Sequence, residues 1–399
     1  MAATSLCLLL LVAAPSKGET KLLGQVARVW NDYALHCVRN QDQAEARRAW
    51  NEARAADPEF DADGRLKAKI DAVAGEPKSK SDARRKKAHK DAAKLYDKLA
   101  KYGDDYRFRA IALEPTKGRI GKVVARVKGE KDVNKAGAML TRLRAAAPEA
   151  DITKLEVALA KKDVVLVRGK DHPLVAWLAL PDGWKPGKQY PVLVTVDGAG
   201  SNFLGAARSS RKRRGKRPWI VLAPCTFANT NALNQKKYPW YDKQLLDSMG
   251  GFQPRFEWDV AGLESVLAVV RERFGGEEKI GITGFSGGGN LTYGYTLLFP
   301  EKVRFAMPAC ANFAGLGAAN AKQPADGGPP IRIYTGAQDP HRTWTHGKEG
   351  GVPGIEPQTD RAVQVLQQKG FTNFTRAMLD GVKHSPLAAK VWETVDELK

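Results

Sequence analysis

The second half of the chain alternates short apolar segments with helical patterns, and this alternation limits the available folds more than any other feature. From about residue 155, LEVALA, VVLV, LVAWLALP, YPVLVTVDG, WIVLAP, KIGITGFS, RFAMPACA, PIRIYTG and TRAMLDG each have the composition of a buried strand. Helical patterns lie between the later segments, at 259–275, 288–300 and 359–370, and again at the C-terminus. We therefore predict an α/β fold with a mostly parallel sheet covered on both faces. The opening strands have no helices between them, which predicts an antiparallel edge.

The first part of the chain has a different pattern. Between residues 21 and 101, apolar residues recur every three or four positions, as in Val26, Trp30 and Cys37, which predicts amphipathic helices. Residues 102–150 mix short apolar and helical pieces, and we assign them to the same unit. The predicted organisation is a small, mainly helical domain over 19–150, of unassigned role, followed by the α/β domain over 151–399.

The N-terminal residues predict a targeting segment. An apolar run from Leu6 to Ala14 is followed by small residues, which predicts a signal peptide over 1–18 and export to the periplasm or the medium. The usual basic n-region is missing, so a short buried helix in a cytoplasmic protein remains the alternative. No other run reaches the length of a bilayer span, and no transmembrane segment is predicted.

The charge is strongly positive and unevenly placed. The formal net charge is +20, with ten Lys and Arg against three Asp in 78–101 and six basic residues among the seven of 211–217. Such runs are either solvated faces or a contact for an anionic surface. No RNA-binding aromatic signature or zinc-finger spacing accompanies them, so specific nucleic-acid binding is not expected.

The cysteines argue against a disulfide framework. Once Cys7 has left with a signal peptide, three remain, which is an odd number. We expect Cys225 and Cys310 to be buried thiols, with a single bridge between them as the alternative. No pair has the spacing of a zinc site, and no metal site is predicted.

The stretch GITGFSGGGN (281–290) carries the strongest chemical signal. KIGIT predicts a buried strand and NLTYGYTLLF predicts a helix, so Gly284-Phe285-Ser286-Gly287-Gly288 lies at a strand-to-helix junction. This matches G-x-S-x-G, in which small neighbours allow a tight turn that lifts a serine hydroxyl clear of the sheet. The alternative is a glycine-rich turn that grips phosphate.

A serine nucleophile needs a base, and the base needs an orienting acid. His384 lies between the last predicted strand and the last helix, where its loop reaches the carboxyl edge of the sheet. Asp339 follows the preceding strand and is suited to accept a hydrogen bond from the imidazole. His341 and His346 follow the acid too closely to serve as the base, although either could line a pocket.

With these motifs, residues from about 155 to 399 resemble the α/β-hydrolase superfamily. More narrowly, they resemble single-domain esterases grouped with polyhydroxybutyrate depolymerases, feruloyl esterases and dienelactone-hydrolase-like proteins. The resemblance rests on GFSGG, on the order Ser286–Asp339–His384 and on YPVLVTVDGAGSN. It implies serine-dependent ester hydrolysis that needs neither a metal nor an organic cofactor.

The resemblance also implies an oxyanion hole. One donor would be the N–H of Gly287, and the other would come from the loop that contains Gly198, Ala199 and Gly200. Those relatives have His-Gly where this chain has Asp197-Gly198. A carboxylate at that position would disfavour the transition state unless it points away or is paired.

Substrate contacts are expected from Phe285, Trp240, Tyr241 and His341. Trp240 and Tyr241 lie in the long aromatic-rich connection after WIVLAP, at the sheet edge where such sites form. The alternative is that these aromatic rings pack the connection onto its own domain.

Three functions are compatible with these features. The favoured one is hydrolysis of a small-molecule or polymer-linked carboxylic ester. The second is a serine peptidase that resembles the catalytic domain of prolyl oligopeptidase, although the helical residues do not supply that family's propeller. The third is an inactive hydrolase-fold protein that binds anionic surfaces.

Overall fold

The computed structural model describes residues 15–77, 82–230, 232–241, 243–343 and 353–398. The chain divides into two compact units at the Ala150–Asp151 bond. The predicted signal peptide falls almost entirely on residues 1–14, which lie outside the described residues. The first helix begins at Lys17, with the Ser16 side chain accepting a hydrogen bond from the N–H of Glu19 as its N-cap.

The N-terminal unit is helical throughout its described residues, as predicted. Its helices are α1 (Lys17–Arg39), α2 (Gln43–Ala56), α3 (Arg65–Asp71), α4 (Asp82–Leu99), α5 (Asp104–Leu113), α6 (Lys117–Gly129) and α7 (Val133–Ala146). Trp30 and Tyr96 are almost completely buried in its core. Ala46, Ala49 and Ala53 form the buried face of α2, and such small side chains let two helices approach closely.

The second unit contains one sheet with helices around it. Its elements are α8 (Thr153–Lys162), β1 (Val165–Arg168), β2 (Val175–Ala179), β3 (Tyr190–Val196), α9 (Phe203–Arg214), β4 (Ile220–Pro224), α10 (Lys243–Ser248), α11 (Phe252–Phe274), β5 (Gly276–Ser286), α12 (Gly289–Leu298), β6 (Val303–Ala311), β7 (Ile331–Gly336), α13 (Ile355–Gln368), β8 (Phe374–Leu379) and α14 (Ala388–Glu397).

The eight strands lie in the order β1-β2-β4-β3-β5-β6-β7-β8. The β1/β2 and β2/β4 pairs are antiparallel, and every other pair is parallel. The parallel strands β3 to β7 are almost entirely buried, as expected for a sheet covered on both faces. This is the α/β-hydrolase fold, and both the parallel sheet and the antiparallel edge predicted from the sequence are confirmed.

Two local predictions were wrong. LEVALA was expected to be a strand but belongs to helix α8, whose buried residues Leu155, Glu156 and Ala160 have helical spacing. Glu156 hid this pattern because a buried glutamate, here paired with Arg273, breaks the apolar stripe. Helix α9 was not predicted.

Three of the six basic residues of 211–217 are engaged in the protein's own packing, whereas Lys212, Arg213 and Lys216 are exposed. Arg214 is 1% exposed and donates to the carbonyl of Trp219 over 3.1 Å, and burial lowers the pKa of its guanidinium to about 10. Arg217 is paired with Asp396, with Nε 2.9 Å from the carboxylate. Arg211 donates to the carbonyls at the end of α8. Because these guanidinium groups are engaged, they do not form a free cationic face.

The parallel strands end at one edge of the sheet and bring chemically useful residues together there. Asp197 directly follows β3, Ser286 ends β5, Cys310 lies near the end of β6, and Asp339 and His384 follow β7 and β8. In α/β sheets, this carboxyl edge is where ligands bind.

Two further sequence expectations concern cysteines and membranes. Cys225 and Cys310 are buried free thiols, as expected. Among the helices of the described residues, none combines the length and the apolar character needed to cross a bilayer.

Candidate active site

Ser286 occupies a strained turn between β5 and α12. Its φ of +50° lies in the left-handed region, which non-glycine residues rarely adopt. The flanking glycines are required by space. A Cβ on Gly284 would overlap the Thr292 hydroxyl, and one on Gly288 would overlap the carbonyl oxygen of Val196. The chain therefore makes the sharp strand–turn–helix bend that the motif predicts, with the serine at its apex.

The expected oxyanion donors lie close to this turn. A Cβ built on Gly198 would be 3.0 Å from the Cβ of Ser286, so the loop after β3 passes directly beside the serine. The N–H groups of Gly287, Ala199 and Gly200 have no hydrogen-bond acceptor among the described residues. The N–H of Gly198 instead faces the Asp197 carboxyl group. Gly287 and Ala199 are therefore better placed as donors than Gly198.

His384 and Asp339 form a direct hydrogen bond. The Nδ1 of His384 is 2.7 Å from Oδ2 of Asp339, whose side chain is completely buried. The other carboxylate oxygen accepts the backbone N–H of His341 over 2.8 Å. When Nδ1–H donates a hydrogen bond to the Asp339 carboxylate, Nε2 of the neutral imidazole is left as an acceptor. This is the tautomer that a general base needs.

The imidazole lies beside the serine turn, although the two side chains are not hydrogen-bonded. The rings of His384 and Phe285 pack with their centroids 4.6 Å apart, and Phe285 immediately precedes Ser286. Between the described side chains of Ser286 and His384, there is no direct hydrogen bond. Such contacts are often long in unliganded sites and tighten when substrate binds.

The Asp197 carboxyl group is directed toward its own loop. Its Oδ2 accepts the N–H of Asn202 over 2.6 Å, at the start of α9. Burial raises the pKa of Asp197, and the backbone N–H groups of Asn202 and Gly198 partly oppose that rise. Asp197 is thus paired, which is the condition under which a carboxylate is tolerated beside an oxyanion hole.

A buried hydrogen-bond network that was not predicted from the sequence holds the loop 197–200. This segment contains the expected oxyanion donors and is called the oxyanion loop below. Asn229 is 3% exposed and donates through Nδ2 to the carbonyls of Gly198 and Asp197, over 2.7 and 3.3 Å. Its Oδ1 accepts the hydroxyl of Tyr238 over 3.1 Å. The carbonyl oxygen of Asn229 fills the space where a Gly287 side chain would lie. Asn229 therefore contacts both parts of the expected oxyanion hole.

Asp259 on α11 fixes the segment that carries Asn229. This fully buried carboxyl group accepts the N–H of Phe227 over 2.8 Å and that of Ala228 over 2.7 Å. Burial raises the pKa of Asp259 to about 8, against the lowering effect of these two N–H groups. A single sequence gives no motif for Asn229 or Asp259, because their roles depend on contacts between distant segments.

The predicted substrate-contacting residues are in different environments. Phe285 is half-buried and packs against His384, and His341 packs edge-on against the same imidazole with ring centroids 4.9 Å apart. Trp240 is partly exposed and packs against Trp177 of β2.

Tyr241 does not line an open pocket, and that prediction is corrected. Its side chain is 5% exposed, it packs against Phe227 and Trp258, and its hydroxyl accepts the N–H of Val175 over 3.0 Å. The alternative, in which the aromatic connection packs onto its own domain, holds for this residue.

Comparisons with known proteins show similarity to hydrolases at low sequence identity. No protein-family model matches the chain, and no curated protein matches it. A thermostable esterase of known structure is 20% identical with a TM-score of 0.41, over 60% of this chain and 63% of that one. This chain therefore spans less than two thirds of that esterase.

Two other similar structures come from named bacteria. Poly(aspartic acid) hydrolase-1 from Sphingomonas sp. KT-1 is 18% identical with a TM-score of 0.43, over 58% of this chain and 97% of that one. An S-formylglutathione hydrolase from Agrobacterium tumefaciens is 14% identical with a TM-score of 0.42, over 59% and 92%. The chain's own residues, rather than these similarities, carry the functional proposal.

Proposed function

We propose that this protein is a serine hydrolase that cleaves carboxylic esters, with Ser286 as nucleophile, His384 as base and Asp339 as the acid that orients the base. One observation carries the proposal. A buried carboxylate holds the His384 imidazole over 2.7 Å, at the sheet edge where a strained serine stands between glycines. An isolated Asp–His contact or a glycine-flanked serine is common, but their combination at this edge is the arrangement that acyl transfer needs.

The first step forms an acyl-enzyme. The Nε2 of His384 takes the Ser286 proton as Oγ attacks the ester carbonyl, and the imidazolium that forms is stabilised by Asp339. The negative charge on the carbonyl oxygen is held by the N–H groups of Gly287 and Ala199. When the tetrahedral intermediate collapses, His384 passes its proton to the leaving alcohol.

The second step releases the acid. Water enters in place of the alcohol and attacks the acyl carbonyl as His384 removes one of its protons, and the tetrahedral intermediate then expels Ser286 as His384 returns that proton to Oγ. The same N–H groups serve both steps, since the oxyanion occupies the same position in each. These steps use only the chain's own groups.

Esters are proposed rather than surface adhesion because the groups beside Ser286 are those that acyl transfer needs, and because half of the basic residues of 211–217 are engaged within their own unit. Three guanidinium groups of 211–217 bind carbonyls or a carboxylate of the same unit. Two N–H groups without acceptors beside a strained serine would serve no purpose in an adhesive surface, whereas an acyl-transfer site requires them.

Labelling of the serine tests the proposal directly. A fluorophosphonate probe should label the purified protein and the Ser286→Ala variant should not be labelled, while Ser248→Ala, at an exposed serine on α10, serves as the matched control. Ser286→Ala should also lower kcat on an activated aryl ester by about 10⁶-fold. Unchanged labelling of Ser286→Ala would overturn the assignment.

A substrate panel separates ester from amide hydrolysis. Short-chain, aryl and polymer-linked esters are compared with peptide amides that have matched acyl groups, using the wild-type protein and Ser286→Ala. We expect Ser286-dependent turnover of esters with much slower turnover of amides. Faster turnover of the amides would favour the peptidase, and labelling with no turnover of any substrate would argue against a hydrolase of either kind.

A further inference from the structure

A third reactive group lies against the His384–Asp339 pair. Cys310, near the end of β6, has a φ of +44° and a side chain that is completely buried. Its sulfur, a carboxylate oxygen of Asp339 and a ring nitrogen of His384 all lie within 4.8 Å of one another. Acyl transfer has no step that uses this thiol.

The three groups form a donor set suited to a thiophilic divalent cation. Thiolate, imidazole and carboxylate are the ligands of Zn²⁺ and of the softer metals, whereas Mg²⁺ and Ca²⁺ prefer sites made of oxygen atoms. Bonds of about 2.0–2.3 Å in a tetrahedral site place the ligand atoms roughly 3.3–3.7 Å apart. For all three atoms to bind one ion, the 2.7 Å contact between His384 and Asp339 must open slightly and the sulfur must approach.

Solvent reaches this group of side chains at His384. The His384 side chain is 20% exposed, whereas Asp339 is closed off completely. An ion would therefore enter past His384, where a water molecule would complete a four-coordinate site.

We propose that Cys310, Asp339 and His384 bind Zn²⁺ or a similarly thiophilic cation, and that this ion inhibits hydrolysis. The sulfur of Cys310 binds the ion as its thiol proton leaves to solvent, and Nδ1 of His384 binds the ion as the single imidazole proton moves from Nδ1 to Nε2 by exchange with water, while a carboxylate oxygen of Asp339 forms the third bond. The imidazole proton then lies on Nε2, where it prevents His384 from accepting the Ser286 proton. The inhibition rests on the proposed function, but the binding does not.

Metal binding is tested without reference to activity. The full-length protein is titrated with Zn²⁺ by calorimetry, and with Co²⁺ by absorption spectroscopy, in which a thiolate ligand gives an intense charge-transfer band. We expect one ion per chain and a thiolate band in the wild-type protein, in Cys225→Ser and in Ser286→Ala. Cys225 is the matched control because it is also a buried free thiol.

Cys310→Ser should weaken Zn²⁺ binding by at least tenfold and remove the thiolate band. If Cys310→Ser fails to fold, His384→Gln gives the second test, with weaker binding expected there as well. Equal affinity in the wild-type and Cys310→Ser proteins, or a wild-type Co²⁺ complex with no thiolate band, would overturn the site.

The inhibition is measured separately on an aryl ester. Zn²⁺ at its dissociation constant should halve the wild-type rate, a chelator should restore it, and the residual activity of Cys310→Ser should resist the same concentration. Binding to Ser286→Ala with no effect on wild-type turnover would overturn the inhibition alone. Binding without any Ser286-dependent turnover would instead count against the proposed function.

Discussion

The ring of Phe285 packs against the imidazole of His384, with their centroids 4.6 Å apart. Phe285 is also the residue immediately before the strained Ser286, at the C-terminal end of strand β5. The segment Phe285-Ser286 therefore carries the serine in its strained conformation and also provides an apolar surface against which the His384 imidazole packs. His384, the proposed base in the loop after β8, thus packs against the end of the strand that carries Ser286, the proposed nucleophile.

The hydrogen bond between His384 and Asp339 predicts the effect of changing its acceptor. In Asp339→Asn, the amide donates to Nδ1 and stabilises the tautomer that has its proton on Nε2, so kcat/KM should fall by about 10⁴-fold with little change in stability. Stopped-flow or steady-state ester hydrolysis measures the effect. Asp380→Asn, at an exposed carboxylate in the His384 loop, is the control and should match the wild type. A loss below tenfold would show that Asp339 does not orient the base.

Asn229 should act on the rate rather than on substrate binding. Asn229→Ala removes the donor to Gly198 and Asp197 and loosens the oxyanion loop, so kcat should fall by about 10–100-fold while KM changes little. Affinity for a boronic acid, which mimics the tetrahedral intermediate, should fall in parallel. Asn234→Ala, in the exposed part of the same connection, is the control. If KM rises and boronate affinity is unchanged, Asn229 supports the fold alone.

Asp197 provides a test of charge at the oxyanion hole. Asp197→Asn keeps an oxygen that can accept from Asn202 and removes a negative charge beside the developing oxyanion. We expect kcat to rise by up to about tenfold at neutral pH. Asp197→Ala should instead lower kcat, because the loop loses its acceptor. A lower kcat in Asp197→Asn would mean that the carboxylate itself contributes to the rate.

Asp259 should make stability depend on pH. Its pKa is about 8 in the folded protein and near 4 in the unfolded chain, so the folded state binds the proton more tightly. The free energy of unfolding should therefore fall as pH rises from about 4 to 8, by several kcal/mol, and level off above the folded pKa. Urea denaturation at a series of pH values measures this, and Asp259→Asn should remove most of the slope. An identical slope in the variant would assign the pH dependence to other groups.

Two neighbouring arginines should behave differently. Arg214→Ala leaves the carbonyl of Trp219 without its donor and opens a cavity, so the free energy of unfolding should fall by about 2–4 kcal/mol. Arg213→Ala, at an exposed position one residue away, should change it by less than about 0.5 kcal/mol. Chemical denaturation gives both values. If both variants lowered the free energy of unfolding by less than about 0.5 kcal/mol, the Arg214 side chain would contribute no more to stability than a solvated one.

The fold could be predicted from the sequence because most buried strands are nearly continuous apolar runs. The prediction failed where polar groups are buried. Helix α9 buries Phe203, Ala207, Ser210 and Arg214 at helical spacing, but two of the four are polar and the apolar stripe disappears. Glu156 had the same effect on α8. A buried charge is recognisable only once its partner is known, and the partner lies far away in the sequence.

The candidate site divides in the same way. Ser286 ends one strand, Asp339 and His384 follow two others, and the shared edge of a parallel sheet brings the three together, so chain order alone predicted their neighbourhood. Asn229 lies in a long connection and Asp259 lies on the face of a helix. The position of such residues along the chain does not predict which other residues they contact. Tyr241 was misassigned because the sequence does not distinguish an aromatic loop residue that lines a pocket from one that packs into the core.

The enclosed position of Asn229 and Asp259 has a consequence for protein engineering. The side chains of Asn229 and Asp259 are buried, whereas those of Trp240 and His341 are partly exposed. Under the proposed function, libraries that randomise positions 240 and 341 should alter which acyl groups are accepted and leave the buried groups around Asn229 unchanged. A library at 229 or 259 would return mostly inactive clones.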